Sequence, residues 1–345
     1  MPAPESITLD AIIHDPGFFL DGIDAAAGTL RFLRTDRAHL AAAAFLDGRT
    51  PFALDGTVYT LPAREVLERA PDPDAAAASP GFIFHTGFCG STLLARSLDL
   101  PGRAFTYREP QVLVQLADLK KTRHPWCTDP AHRRALVGFV LGQLSKTWSA
   151  GERAIIKPSN WVNNLTAELL EVRPASPALC LSIDLRAYLV AIVRGGTDRI
   201  RFCCKLFEHL QSAIPMFVPL GASATLGAAD GMVPVMRLCA LTWFLQRQLL
   251  QCSPGQSTKS VVLDYATMIA DPVSSLNAAA GLFGIEFAET EPDRIVAGTW
   301  PVHAKNAGER FDAAEFEAIG ARVEREYGRY LDGAIDWCRE RLGDA

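Results

Sequence analysis

The chain has 345 residues, 49% of them hydrophobic and 21% charged, with a formal net charge of −5 and a pI near 5.8. That length suits one large domain with an appendage, or two domains. The acidic balance excludes a broad duplex-DNA footprint, which needs a basic surface, and leaves room for a local basic pocket around one anionic ligand. Eight scattered cysteines show neither CxxC pairs nor zinc-type Cys/His spacing, so metal sites are not expected and a reducing compartment is. The N-terminus, Met1-Pro2-Ala3-Pro4-Glu5, has no basic n-region or apolar h-region. No apolar run approaches the ~20 residues that span a bilayer. A soluble, cytoplasmic protein with no membrane or nucleic-acid partner is expected. The oligomeric state stays open, a homo-oligomer included.

In chain order, residues 1–78 read as a small α+β appendage and linker. Thr29–Leu33 alternates as a strand, Arg37–Leu46 reads as a helix ended by Asp47-Gly48, and Thr57–Leu61 reads as a second strand. Pro71-Asp72-Pro73-Asp74 with the alanine run after it is linker-like. From residue 79 to 345 the pattern becomes strand–helix repetition. Phe82–His85, Ala104–Tyr107, Ala154–Lys157, Ala178–Ile183 and Ser260–Tyr265 are apolar strand segments, with helical patterns between them. Such strands predict a mostly parallel sheet covered on both faces, with ligands at its carboxyl edge. The glycine- and proline-bearing stretch from Gly195 to Val235 reads as an irregular excursion of the lid or substrate-binding kind, with room for some helix within it. Helices follow over Val235–Gln251, Pro272–Leu282 and Ala313–Leu342.

The most informative stretch is Gly81–Leu98. A buried strand breaks into Thr86-Gly87-Phe88-Cys89-Gly90, and Ser91-Thr92 opens a helix. A strand, a glycine-marked loop and a helix start form an anion cradle, because the first helical N–H groups lack internal partners and sit at the positive end of the dipole. Gly87, Phe88, Cys89, Gly90, Ser91 and Thr92 are the candidate phosphate-binding residues. The loop is not a Walker A motif, since no lysine precedes Ser91. An ordinary βα turn capped by Ser-Thr is the alternative.

Gly90-Ser91-Thr92-Leu93-Leu94 resembles the 5′-phosphosulfate loop of bacterial sulfotransferases. Tyr265–Pro272 resembles their late "YEDL…DP" segment, Leu282-Phe283-Gly284-Ile285 their "FLG(I/L)", and His303-Ala304-Lys305 their C-terminal basic motif. The resemblance spans Gly81 to Arg310. It implies a P-loop sulfotransferase-like α/β fold, 3′-phosphoadenosine 5′-phosphosulfate (PAPS) as donor, and a small-molecule hydroxyl or amine as acceptor. Where the family carries a loop Lys or Arg, this chain has Phe88. At its 3′-phosphate positions stand Ile183 and Ala191, which leaves Arg186, Arg194 and Lys305 as candidate clamps.

Sulfuryl transfer needs a base for the acceptor proton, positive groups for the transferring anion, and in-line geometry. Glu109, at the end of the second strand and held extended by Pro110, is the candidate base. Lys157, at the end of the third, is the candidate cation. Asn160, Asn163, Asn164 and Trp161 form a polar cluster after it, and His124-Pro125-Trp126 is a candidate acceptor wall. A P-loop kinase and a non-catalytic scaffold of the same fold are the competing readings.

Overall fold

The computed structural model describes residues 7–70, 79–226, 231–251, 259–300 and 312–343. The linker-like Pro71–Asp74 and the His303, Lys305 and Asn306 cluster lie outside the described residues.

The first three strands, β1 (Phe18–Asp24), β2 (Thr29–Arg34) and β3 (Val58–Pro62), form an antiparallel sheet in that order. The other five are β4 (Gly81–His85), β5 (Ala104–Arg108), β6 (Arg153–Lys157), β7 (Ala178–Ser182) and β8 (Ser260–Asp264). They form one parallel sheet in the order β5-β6-β4-β7-β8, flanked by helices. This is the α/β architecture expected from the sequence. The chain leaves the central β4 towards one edge and β7 towards the other. A crevice therefore opens above the carboxyl end of β4.

Side chains alternate across this sheet. Phe82, Phe84, Phe105, Tyr107, Ile156 and Cys180 belong to one buried cluster; Ile83, Ile155, Leu179 and Leu181 belong to the other. The antiparallel sheet packs into the first cluster through Phe19, Leu30 and Phe32. The second cluster is covered by the helices Ser91–Ser97, Leu185–Arg194, Gly196–Leu210 and Met232–Gln251 and by the long helix Ala313–Leu342.

The helix expected over Arg37–Leu46 stops at Ala42. The cause is Arg108, whose side chain is buried at the end of β5. Its guanidinium donates to the carbonyls of Leu40 (3.1 Å), Ala41 (2.8 Å) and Ala43 (2.9 Å) and pairs with Asp99 at 2.8 Å. Arginine thus takes the carbonyls that a further helical turn would have used. Two more bonds, Leu46 N–H to Arg108 O (2.7 Å) and Gln111 N–H to Leu46 O (2.9 Å), pin the freed segment along β5.

The stretch read as an irregular excursion is largely helical, with helices at Gly196–Leu210 and Phe217–Thr225. The glycine pair there separates two helices instead of opening a loop. The first of those helices buries Cys203, Leu206, Phe207 and Leu210 at helical spacing. Strand β1 is absent from the sequence reading. Its Phe18–Ile23 run is buried on both faces, so it lacks the alternation that marks a strand.

Candidate functional site

The loop after β4 is fastened at its base by His85. The Gly87 N–H donates to His85 Nδ1 at 3.0 Å, which leaves Nε2 as the donor to the Pro158 carbonyl at 3.0 Å. Loops after β4 and β6 are thereby tied together. Gly87, Phe88 and Gly90 all adopt left-handed backbone, with φ of 86°, 56° and 75°. Phe88 has a side chain and bears strain of about 1–2 kcal/mol there. The helix Ser91–Ser97 starts on Gly90 with no side-chain cap, and Ser91 and Thr92 line a cleft of about 580 Å³. Its first N–H groups have no intrahelical partners.

Register brings the two candidate reacting groups together. Arg108 of β5 pairs with Lys157 of β6, and one residue further on the Glu109 N–H donates to the Lys157 carbonyl at 2.7 Å. Glu109 also has left-handed backbone, φ 54°, in place of the extended pose expected before Pro110. Its Oε1 forms an ion pair with Lys157 Nζ. The Lys157 side chain is 1% exposed and that of Glu109 17%, so the pair lies on the cleft floor with the carboxylate towards the opening. Burial raises the worth of such a pair and also the cost of leaving either charge alone.

The opposite wall comes from the segment that Arg108 pins. Phe45, Asp47 and Arg49 line the cleft. Arg49 is paired with Asp47 at 2.5 Å, its guanidinium lies 4.3 Å from the Phe45 ring centre, and it stands 4.0 Å from the free oxygen of Glu109. The Asp47 carboxylate raises the Arg49 pKa. The third wall is the start of the helix Gly196–Leu210, with Gly195, Asp198, Arg199 and Phe202. Behind the loop, Asn160 and Asn163 donate to Gln246 Oε1 at 3.0 and 3.4 Å, a buried network that fixes the turn after β6.

Gly87, Phe88, Gly90, Ser91, Thr92, Glu109 and Lys157 are thus brought to one cleft. Cys89 is not. Its thiol turns into the core and donates to the Leu181 carbonyl at 3.4 Å, and burial raises its pKa. Arg186 is turned away as well, held by Glu324 at 2.7 Å and Asp332 at 2.6 Å on the long C-terminal helix. Arg194 lies across Phe88 in a second groove of about 420 Å³, its guanidinium 3.5 Å from the centre of the Phe316 ring. Burial, with Arg199 nearby, pushes the Arg194 pKa down to about 10. Ile183 and Ala191 are buried apolar walls of that groove. Trp126 faces His132 in a separate cavity and does not reach the cleft. Among the described residues no three His, Cys, Asp or Glu side chains are grouped to hold a metal.

No protein-family model and no curated protein matches this sequence. One solved structure similar to the chain is the sulfotransferase STF9 from Mycobacterium avium. The two share 12% identity with a TM-score of 0.40, over 78% of this chain and 80% of that one.

Sequence reasoning missed Phe45, Asp47, Arg49 and Arg199. The first three lie in a segment whose path depends on Arg108, more than 50 residues away in sequence. Arg199 had a visible signal: an arginine one turn into a helix that follows Gly195-Gly196.

Proposed function

We propose that this chain transfers a sulfuryl group from PAPS to a hydroxyl or amine of a small molecule. The observation that carries the reading is the Glu109–Lys157 pair, set on adjacent strand ends and facing a left-handed glycine loop across one cleft. The donor set fits the phosphosulfate end of the nucleotide. The N–H groups at the start of Ser91–Ser97, the Ser91 and Thr92 hydroxyls and the Lys157 ammonium would hold it. When bound, it supplies the sulfuryl electrophile and a phosphate leaving group.

The protein's own residues do the rest. In the resting cleft Lys157 neutralises Glu109. The Lys157 ammonium would turn from Glu109 to a bound anion, leaving Glu109 with Arg49 at 4.0 Å. The carboxylate is then free to accept the proton of an acceptor hydroxyl as that oxygen attacks. Phe45 and Arg49 wall the acceptor side and restrict its orientation. Isothermal titration tests the reading directly: adenosine 3′,5′-bisphosphate binds, and Lys157→Met abolishes the binding. No detectable binding at millimolar nucleotide would sink it.

A second reading has one specific observation behind it. The 3′-phosphate positions are Ile183 and Ala191, both buried and apolar, and Arg186 is already engaged by two carboxylates. A donor without a 3′-phosphate suits that groove, as in a P-loop kinase. Tighter binding of magnesium-ATP than of adenosine 3′,5′-bisphosphate would select this alternative.

A further inference from the structure

We propose that Arg199 is the cation of the phosphate loop, delivered from outside the loop across the ring of Phe88. The inference rests on reading the cleft as an anion site and adds a residue to it. The loop from Gly87 to Thr92 contains no basic side chain. Three features build the missing charge into the facing wall. The Arg199 guanidinium carbon lies 4.7 Å from the Phe88 ring centre, so the cation rests on the loop's own side chain. Its Nη1 donates to the Ala191 carbonyl at 2.6 Å, which anchors one of five N–H donors and leaves the others for a ligand. The third feature is Gly195. A Cβ at that position would stand 2.1 Å from Arg199 Nε, so any side chain there would push the arginine off its path.

The electrostatics point the same way. Among the described residues no carboxylate is paired with Arg199. Asp198, its cleft-lining neighbour, is instead bonded to Arg201 at 3.0 Å. Burial lowers the Arg199 pKa, and an anion beside it would offset that desolvation. The helix Gly196–Leu210 begins at this point without a side-chain cap, which sets the positive end of its dipole beside the cleft. Phe88 accepts a strained left-handed backbone, and its ring is where Arg199 rests. Arg49, on the opposite wall, is paired with Asp47, which leaves Lys157 on the floor and Arg199 on the facing wall as the two cations nearest the loop. That favours a ligand with two adjacent anionic groups, a phosphosulfate or diphosphate, over a single phosphate.

Titration of the full chain with inorganic pyrophosphate and inorganic phosphate tests this. The wild type is expected to bind pyrophosphate at least tenfold more tightly than phosphate. Arg199→Met should remove that preference while changing phosphate affinity less than threefold. Gly195→Ala should reproduce the loss, and Phe88→Lys in the Arg199→Met background should restore the preference by moving the charge into the loop. Thermal melts within a few degrees of the wild type certify that each variant folds. A wild type with no pyrophosphate preference, or an Arg199→Met variant that keeps it, overturns the assignment. Adenosine 3′,5′-bisphosphate separates the two claims. Arg199-dependent pyrophosphate binding without nucleotide binding would end the sulfotransfer reading and leave Arg199 standing. Nucleotide binding by a protein whose pyrophosphate preference survives Arg199→Met would do the reverse.

Discussion

Two grooves meet at Phe88, and both are rich in arginine, yet they have different electrostatic roles. In the larger one Lys157 and Glu109 sit on the floor, and Arg199 is held only by a backbone carbonyl and an aromatic face. In the smaller one Arg186 is clamped by Glu324 and Asp332, and Arg194 is stacked on Phe316. The C-terminal helix has used the charges of the second groove for its own docking. What distinguishes a ligand-binding cation from a structural one here is its set of partners, because the residue type is the same.

The comparison can be broken most forcefully at the floor. Lys157→Met and Glu109→Gln should each reduce turnover by about 10²–10⁴-fold, the range of a lost electrostatic donor or general base. Single-turnover sulfuryl transfer would read this out, and a change under threefold would remove these residues from the chemistry. Next in size is the brace behind the cleft. Arg108→Met leaves Asp99 to Arg37 alone, at 2.8 Å, and strands three backbone carbonyls, and should cost about 3–5 kcal/mol of stability by urea titration. A loss below 1 kcal/mol would show that the N-terminal segment holds its place by other means.

A smaller effect is expected where His209 stacks on Trp161 with ring centres 4.2 Å apart. Burial lowers its pKa to about 4, from the ordinary 6.5. Between those values the unfolded chain carries a proton that the native one refuses, so stability falls as pH drops from 6.5 to 4 and levels off below. The loss amounts to at most about 3 kcal/mol. Melting curves from pH 7 to 4.5 should be flatter for His209→Gln; an unchanged slope would clear His209 of the effect. The smallest effect belongs to the second groove. Arg186→Ala breaks two half-exposed ion pairs and should cost no more than about 1 kcal/mol, with turnover within twofold of wild type. A tenfold loss of turnover would instead put Arg186 in the donor site.

How much of this was readable in advance follows from how local each signal is. The five parallel strands are short apolar runs with helices between them, and they stand where the sequence puts them. That Gly87, Phe88, Gly90, Ser91, Thr92, Glu109 and Lys157 would come together was legible because they all lie at or just beyond the carboxyl ends of parallel strands, where the crevice of such a sheet opens. The ion pairs of Arg186 were not legible because its partners, Glu324 and Asp332, lie more than 130 residues downstream. The inward turn of the Cys89 thiol was not legible, because its partner, the Leu181 carbonyl, lies on another strand. Phe45 and Arg49 were invisible for the reason that shortened their helix, a buried guanidinium from another strand competing for its carbonyls.

That mooring has a practical consequence. A trimmed protein that starts at β4, the natural choice for anyone isolating the parallel sheet, would not be a smaller version of this molecule. It would strip the cover from Phe82, Phe84 and Phe105, deprive Arg108 of the carbonyls of Leu40, Ala41 and Ala43, and remove Phe45 and Arg49 from the cleft. Recombinant work that discards the first seventy residues as a dispensable tail would trade solubility and cleft geometry away together.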